Sequence, residues 1–161
     1  MKQDRFLLGI LVFIGLLVIA ALALFFIRQD TQVYVPDDTP EGVVRDYALA
    51  LQKGDYPRAY SYLADKDNRP TVDAFRRYFL TDKPDLGSNA LQVGSVQVLD
   101  SDEATVHLTV LFAGNGPFNS GWSSTDNASL VRQGGAWKLA YMPYPFWAYE
   151  WYQTPYPAVK P

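Results

Sequence analysis

Thr39-Pro-Glu-Gly-Val-Val-Arg-Asp-Tyr-Ala-Leu-Ala-Leu-Gln-Lys-Gly-Asp-Tyr-Pro-Arg-Ala-Tyr-Ser-Tyr-Leu63 sets the first half of the fold. Thr39 offers an N-cap hydroxyl, Pro40 has the fixed φ that suits a first helical position, and Glu41 puts an acid at the positive end of the helix dipole. Val44, Tyr47, Ala48 and Leu51 then recur at helical spacing, with Arg45, Asp46 and Gln52 expected on the opposite side. Gly54 ends this helix, and Asp55 is placed to cap a second whose apolar face is Tyr56, Ala59, Tyr60 and Leu63. A third helix is predicted after Pro70, with Thr71 as cap, burying Val72, Phe75 and Phe79 and exposing Arg76 and Arg77.

Beyond residue 90 the period changes to two. Leu91 and Val93 hold one phase and Val96 and Val98 the other, so Gly94-Ser95 between them reads as a bulge or bend. Asp100-Ser101-Asp102 makes a turn. Ala104, Val106, Leu108, Val110 and Phe112 then alternate with Thr105, His107, Thr109 and Leu111, the pattern of a half-buried strand. Residues 128–132 and 137–141 form a hairpin across Gln133-Gly134-Gly135, whose glycines adopt positive φ readily. Helices first and an antiparallel meander second give an α+β domain with the helices packed on one face of a curved sheet.

This order resembles the nuclear transport factor 2-like, or cystatin-like cone, superfamily. Residues 39–63 are similar to its helix, Gly-Asp turn and second helix, and Gln133-Gly-Gly-Ala-Trp-Lys-Leu139 is similar to its closing hairpin. The resemblance implies about three helices wrapped by a curved sheet that encloses a pocket. It also implies a choice of trades, since members include isomerases and dehydratases, non-catalytic adaptors and membrane-tethered accessory domains. Fold alone does not choose among them.

Residues 6–27 form an uncharged apolar run of 22 residues, which as a helix would be roughly 33 Å long, close to the hydrocarbon thickness of a bilayer. The run is longer than a secretory signal core of about 7–15 residues, so an uncleaved transmembrane anchor is expected. Lys2 and Arg5 precede it, while Arg28 is followed by Asp30, Asp37, Asp38 and Glu41. That bias keeps residues 1–5 in the cytoplasm and sends the rest of the chain out of a single-pass cell-membrane protein. Residues 28–38 are read as a tether, 39–142 as the cone-like domain and 143–161 as an aromatic, proline-rich tail.

The part after residue 27 has 16 acidic and 12 basic residues, a net charge of −4, which argues against a nucleic-acid partner. With no cysteine in the chain, a disulfide framework, a zinc–thiolate site and a thiol nucleophile are excluded. His107 is the single histidine, set by strand parity on the solvent side with Thr105 and Thr109, so no multi-histidine metal site exists. No acid interrupts the apolar face of residues 104–112, and Asp126 is expected at a strand start. No catalytic, cofactor-binding or metal residue is assigned.

Two segments stand out. Residues 114–124 are expected to be a long connection, with Phe118 and Trp122 as a candidate interaction loop. The tail carries seven large rings within residues 144–156 and only one charge there, Glu150; it is expected to pack on the domain. Tyr47, Tyr60, Phe75, Phe79, Trp137 and Tyr141 are the candidate pocket-lining residues. The resulting expectation is a membrane-anchored extracytoplasmic binding or interaction domain, non-catalytic and without a cofactor. Its partners would be the bilayer through residues 6–27, an unidentified protein or small molecule, and in one variant a second copy of the chain as a homodimer. The alternative is an isomerase or dehydratase acting in the cone's pocket.

Overall fold

A computed structural model of the chain describes residues 3–29, 33–82, 86–114 and 120–153. It divides into two units, Met1–Val33 and Tyr34–Pro161. The first contains helix α1, Gln3–Gln29, in which Leu7–Leu24 has a mean hydropathy of 3.1. Its described side chains are exposed, and by length and composition the helix can cross a membrane.

The second unit opens with three helices. In α2, Pro40–Gln52, the Gly42 amide donates to Thr39 Oγ1 at 3.2 Å, the N-cap that the sequence spells out. In α3, Tyr56–Ser61, Arg58 N donates to Asp55 Oδ1 at 3.2 Å. In α4, Val72–Arg77, Ala74 N donates to Thr71 Oγ1 at 3.2 Å, and the helix widens into a π-helical turn at Tyr78–Asp82. Phe75 and Phe79 are buried, but Val72, expected beside them, is exposed, because α4 meets the rest of the domain only from Phe75 onward.

Asp46 also departs from expectation. Placed by helical periodicity with Arg45 and Gln52, it is buried in the structure. The cause is residues 34–36, which fold back over this face of α2, and Val35 N donates to Asp46 Oδ1 at 3.0 Å. Part of the stretch read as tether is therefore a strap on the domain. Gly42 makes the crossing feasible, since a Cβ there would stand 2.6 Å from the Pro36 carbonyl oxygen.

The sheet is an antiparallel meander in the order β1-β2-β3-β4, with β1 Asn89–Asp100, β2 Glu103–Phe112, β3 Trp122–Gln133 and β4 Ala136–Tyr141. The β1–β2 register slips between Val93 and Val96, at the glycine–serine pair. In β2 the residues Ala104, Val106, Leu108 and Val110 are buried under the helices, while His107 and Leu111 face solvent. β3 begins at Trp122, earlier than expected, so Ser123, Ser124 and Asp126 are strand rather than loop or strand start. Each of them pairs across to β2, from Phe112↔Trp122 to Leu108↔Asp126. Gly134 and Gly135 turn the last hairpin with φ of 60° and 84°.

The free edge of β4 is closed by the chain leaving α3. Leu63, expected on a helical face, instead makes a parallel bridge to Leu139. Ala64 N donates to Leu139 O and Leu139 N to Tyr62 O, both at 2.8 Å. The Gln133 side chain extends this pairing, accepting from Asp65 N at 2.8 Å and donating to Asp65 O at 3.1 Å. Backbone groups that would invite another strand are thus satisfied.

Leu108 lies at the centre of the buried row, 1% exposed. Leu108→Asp would place an unpaired charge there and should cost more than about 4 kcal/mol, enough to unfold the domain. His107→Ala, one residue along on the exposed face, should leave the chemical denaturation midpoint within experimental error. Circular dichroism during denaturant titration checks both.

Candidate functional site

The six candidate pocket residues do not share one environment. Tyr47, Phe75, Phe79 and Trp137 are buried, Tyr60 is half-buried, and Tyr141 is 42% exposed. The interior they surround holds the tail. Met142, Phe146, Trp147, Ala148 and Trp151 all belong to the core. Trp147 stands 6.4 Å from the Tyr47 ring and 5.1 Å from that of Trp151, and Trp151 is 5.2 Å from Phe75 and 5.8 Å from Phe79, all between ring centroids. Such tilted and offset ring pairs are the preferred aromatic geometries. Tyr144 and Tyr149 of the tail stay outside, and Tyr156 lies beyond the described residues.

Three tyrosine hydroxyls tie this arrangement to the backbone. Tyr47 donates to Phe146 O at 2.7 Å, Tyr78 to Trp147 O at 3.2 Å, and Tyr152 to Ala64 O at 2.6 Å. A buried hydroxyl without a partner would be unfavourable, so each ring fixes where the tail can lie.

The buried acid has the neighbours a catalytic carboxylate would need, but they occupy it. Asp46 Oδ1 accepts from Val35 N; Oδ2 accepts from Tyr62 OH at 3.5 Å and lies 3.8 Å from Arg58 Nη2. Arg58 Nε donates to Tyr62 OH at 3.2 Å, and its guanidinium covers the Tyr34 ring at 3.5 Å. Both oxygens are engaged and a cation is alongside, whereas a general base needs an oxygen directed at a substrate proton. The group works as a staple between the strap, α2 and α3. The sequence carried no clear sign of it, because Val35 and Arg58 lie outside any helical spacing from Asp46.

The surface holds a second group. Trp122, on the candidate interaction loop by sequence, sits at the start of β3, 61% exposed. Its ring stacks on Phe112 at 4.0 Å with planes 10° apart, and Phe112 is 6.4 Å from Tyr144 with planes 14° apart. Phe118 lies outside the described residues. An open cavity of about 530 Å³ lies against this end of the sheet, with Ser88, Leu111, Phe112, Trp122 and Ser123 among its walls. His107 is on the exposed sheet face, its Nδ1 2.6 Å from Asn127 Oδ1. Asp126 is half-buried in β3, and its charge adds to burial in raising the pKa of Tyr141.

No protein-family model matches the chain, and no curated protein matches it. Solved structures similar to it include an NTF-2-like protein of unknown function from Shewanella oneidensis, 12% identical over 60% of this chain and 88% of that one, with a TM-score of 0.46. A protein of unknown function with a cystatin-like fold from Nostoc punctiforme is 16% identical over 60% and 80%, TM-score 0.45. A ketosteroid isomerase-like protein from Erwinia carotovora is 19% identical over 62% and 87%, TM-score 0.42. At such identities and scores these likenesses carry no argument. The chain's own elements give a cone-like α+β fold, with helices on one face of a bulged antiparallel sheet.

Burial pushes the Tyr47 hydroxyl well above its usual range, and it pushes Tyr152 up to about 12, partly offset by the Arg69 charge. The folded state thus favours the neutral phenols, while an unfolded chain ionises them near pH 10. The contribution of Tyr152 is complete below about pH 10 and is lost as pH rises through about 12, and Tyr47 acts in the same direction. In an alkaline titration, phenolate absorbance from these two rings should appear together with loss of far-ultraviolet circular dichroism, after the exposed tyrosines have titrated.

Proposed function

We propose that the protein is a single-pass cell-membrane protein whose α+β domain lies outside the cytoplasm and serves binding or interaction without catalysis. The observation that carries this reading is the occupation of the domain's interior by Phe146, Trp147 and Trp151, which leaves ligand contact to the outer surface. Two features support the location. α1 is long and apolar enough to span a bilayer, and the basic residues Lys2 and Arg5 stand before its uncharged run of residues 6–27 while acids dominate after it. The isomerase or dehydratase reading has one observation in its favour, the Asp46–Tyr62 contact, and that carboxylate is already spent on Arg58 and Val35.

The anchor is tested by carbonate extraction of membranes, in which the full-length chain should stay with the pellet. Protease added outside intact cells or right-side-out vesicles should digest the domain. Release of a soluble form beginning near Leu24 would overturn the anchor, and protection from external protease would overturn the orientation.

A further inference from the structure

β4 ends at Tyr141, opposite Ser129, while β3 runs on along β2 to Trp122. The edge of the sheet therefore has a step, residues 122–128 of β3, about 23 Å long. Among the described residues no strand lies beside it. The direction of its backbone groups follows from the ladder. Arg132 N donates to Asp102 O at 2.8 Å, on the β2 side, and the β2–β3 register is unbroken from Val131 to Trp122. Successive residues of a strand direct their N–H and C=O to alternate sides, so those of Ser123, Thr125 and Asn127 point away from β2. Asn127 N accordingly donates to Asp126 Oδ1, at 2.7 Å, a local contact that a facing carbonyl can replace.

The two other stretches of sheet edge are protected. Leu63 to Asp65 covers β4, and β1 is interrupted by the register slip between Val93 and Val96 and ends at Asp100. The step, Trp-Ser-Ser-Thr-Asp-Asn-Ala, has no lysine, proline or bulge to blunt it, and Asp126 is its one charge.

Such a step is complementary to a copy of itself. Its midpoint is Thr125, and a two-fold axis there sets Thr125 opposite Thr125 of the second copy. Ser123 then faces Asn127, and these outward-pointing residues exchange about six backbone hydrogen bonds in all. On the other face of the sheet Ser124 meets Asp126, and Trp122 meets Ala128. The threonine pair is favourable across strands, each acid faces a hydroxyl that can donate to it instead of a second acid, and alanine leaves room for the indole. The lengths match as well, because each copy fills the other's step with an identical one. An unrelated extended peptide could pair with the backbone but would bring nothing matched to Asp126.

We infer that residues 122–128 of β3 pair antiparallel with the same residues of a second copy of the chain, about a two-fold axis at Thr125, joining two sheets into one. This goes beyond the role proposed above, since the pairing requires neither the anchor nor an outward location.

The test is sedimentation velocity of the full-length chain in detergent micelles over a range of concentrations, which should show a reversible monomer–dimer equilibrium. Ser124→Lys puts an ammonium opposite Asp126 of the second copy and should tighten the dimer about threefold or more, while Ser124→Asp sets acid against acid and should weaken it by a similar factor. Circular dichroism checks that both variants are folded. Because the chain has no cysteine, single cysteines map the contact. A short bismaleimide should join two copies through Thr125→Cys, and should not join them through His107→Cys on the exposed sheet face. The inference is overturned by a monomer at every concentration or by a dimer on which the two Ser124 variants act alike, as one made through α1 alone would be. Cross-linking at His107→Cys in place of Thr125→Cys would also overturn it, by moving the contact to the sheet face.

Discussion

The hydrogen bond from the Tyr47 hydroxyl to the Phe146 carbonyl, 2.7 Å long and fully buried, is the constraint on which the arrangement of the domain turns. It joins the middle of α2 to a segment 99 residues later. With it in place, Trp147 and Trp151 fall among Tyr47, Phe75 and Phe79. Breaking it would leave a buried carbonyl unpaired, at a cost of about 1–3 kcal/mol, while several rings lost their packing partners. The interior of the domain is thus defined by the last segment described as much as by α2.

In the reading proposed above, that filling leaves ligand contact to the outer surface. A fold whose resemblance implied an enclosed pocket here has aromatic rings where a substrate would sit. Among the described residues the buried carboxylate is that of Asp46, paired with Arg58 and bound by the Val35 amide. What remains open is the end of the sheet where β3 outruns β4. Over residues 122–128 of β3 the side chains include a ring, hydroxyls and a single acid, Asp126. The binding role proposed above draws on this outer surface without any appeal to relatives.

Most of the fold was legible because short-range physics wrote it. The caps at Thr39, Asp55 and Thr71, the strict alternation of residues 104–112 and the paired glycines at 134–135 each depend only on near neighbours in sequence. What escaped depended on distant chain. Asp46 is buried because residues 34–36 return over α2, and Leu63 is a bridge residue because β4 lies alongside it. The early start of β3 was hidden because Ser123, Ser124, Thr125 and Asp126 have weak strand propensity and are held there by β2. Of the candidate site, Trp122 was picked out as a costly exposed ring. Its partners Phe112, Tyr144 and Asp126 were not grouped with it, since cross-strand register brings them together and sequence spacing does not. The tail could be expected to need cover, but its insertion among α2 and α4 rests on tyrosine hydroxyls meeting particular carbonyls.

The most direct measurement is the denaturant unfolding of a chain ending at Met142, compared with the full-length protein in the same nanodiscs. The account predicts that removing Phe146, Trp147 and Trp151, each contributing about 1.5–3 kcal/mol by burial, abolishes the cooperative transition. A synthetic peptide of residues 143–161, added in excess, should restore it at least in part. A shortened chain that unfolds with an unchanged midpoint and slope would contradict the account, for it would mean that the tail only covers a domain complete without it.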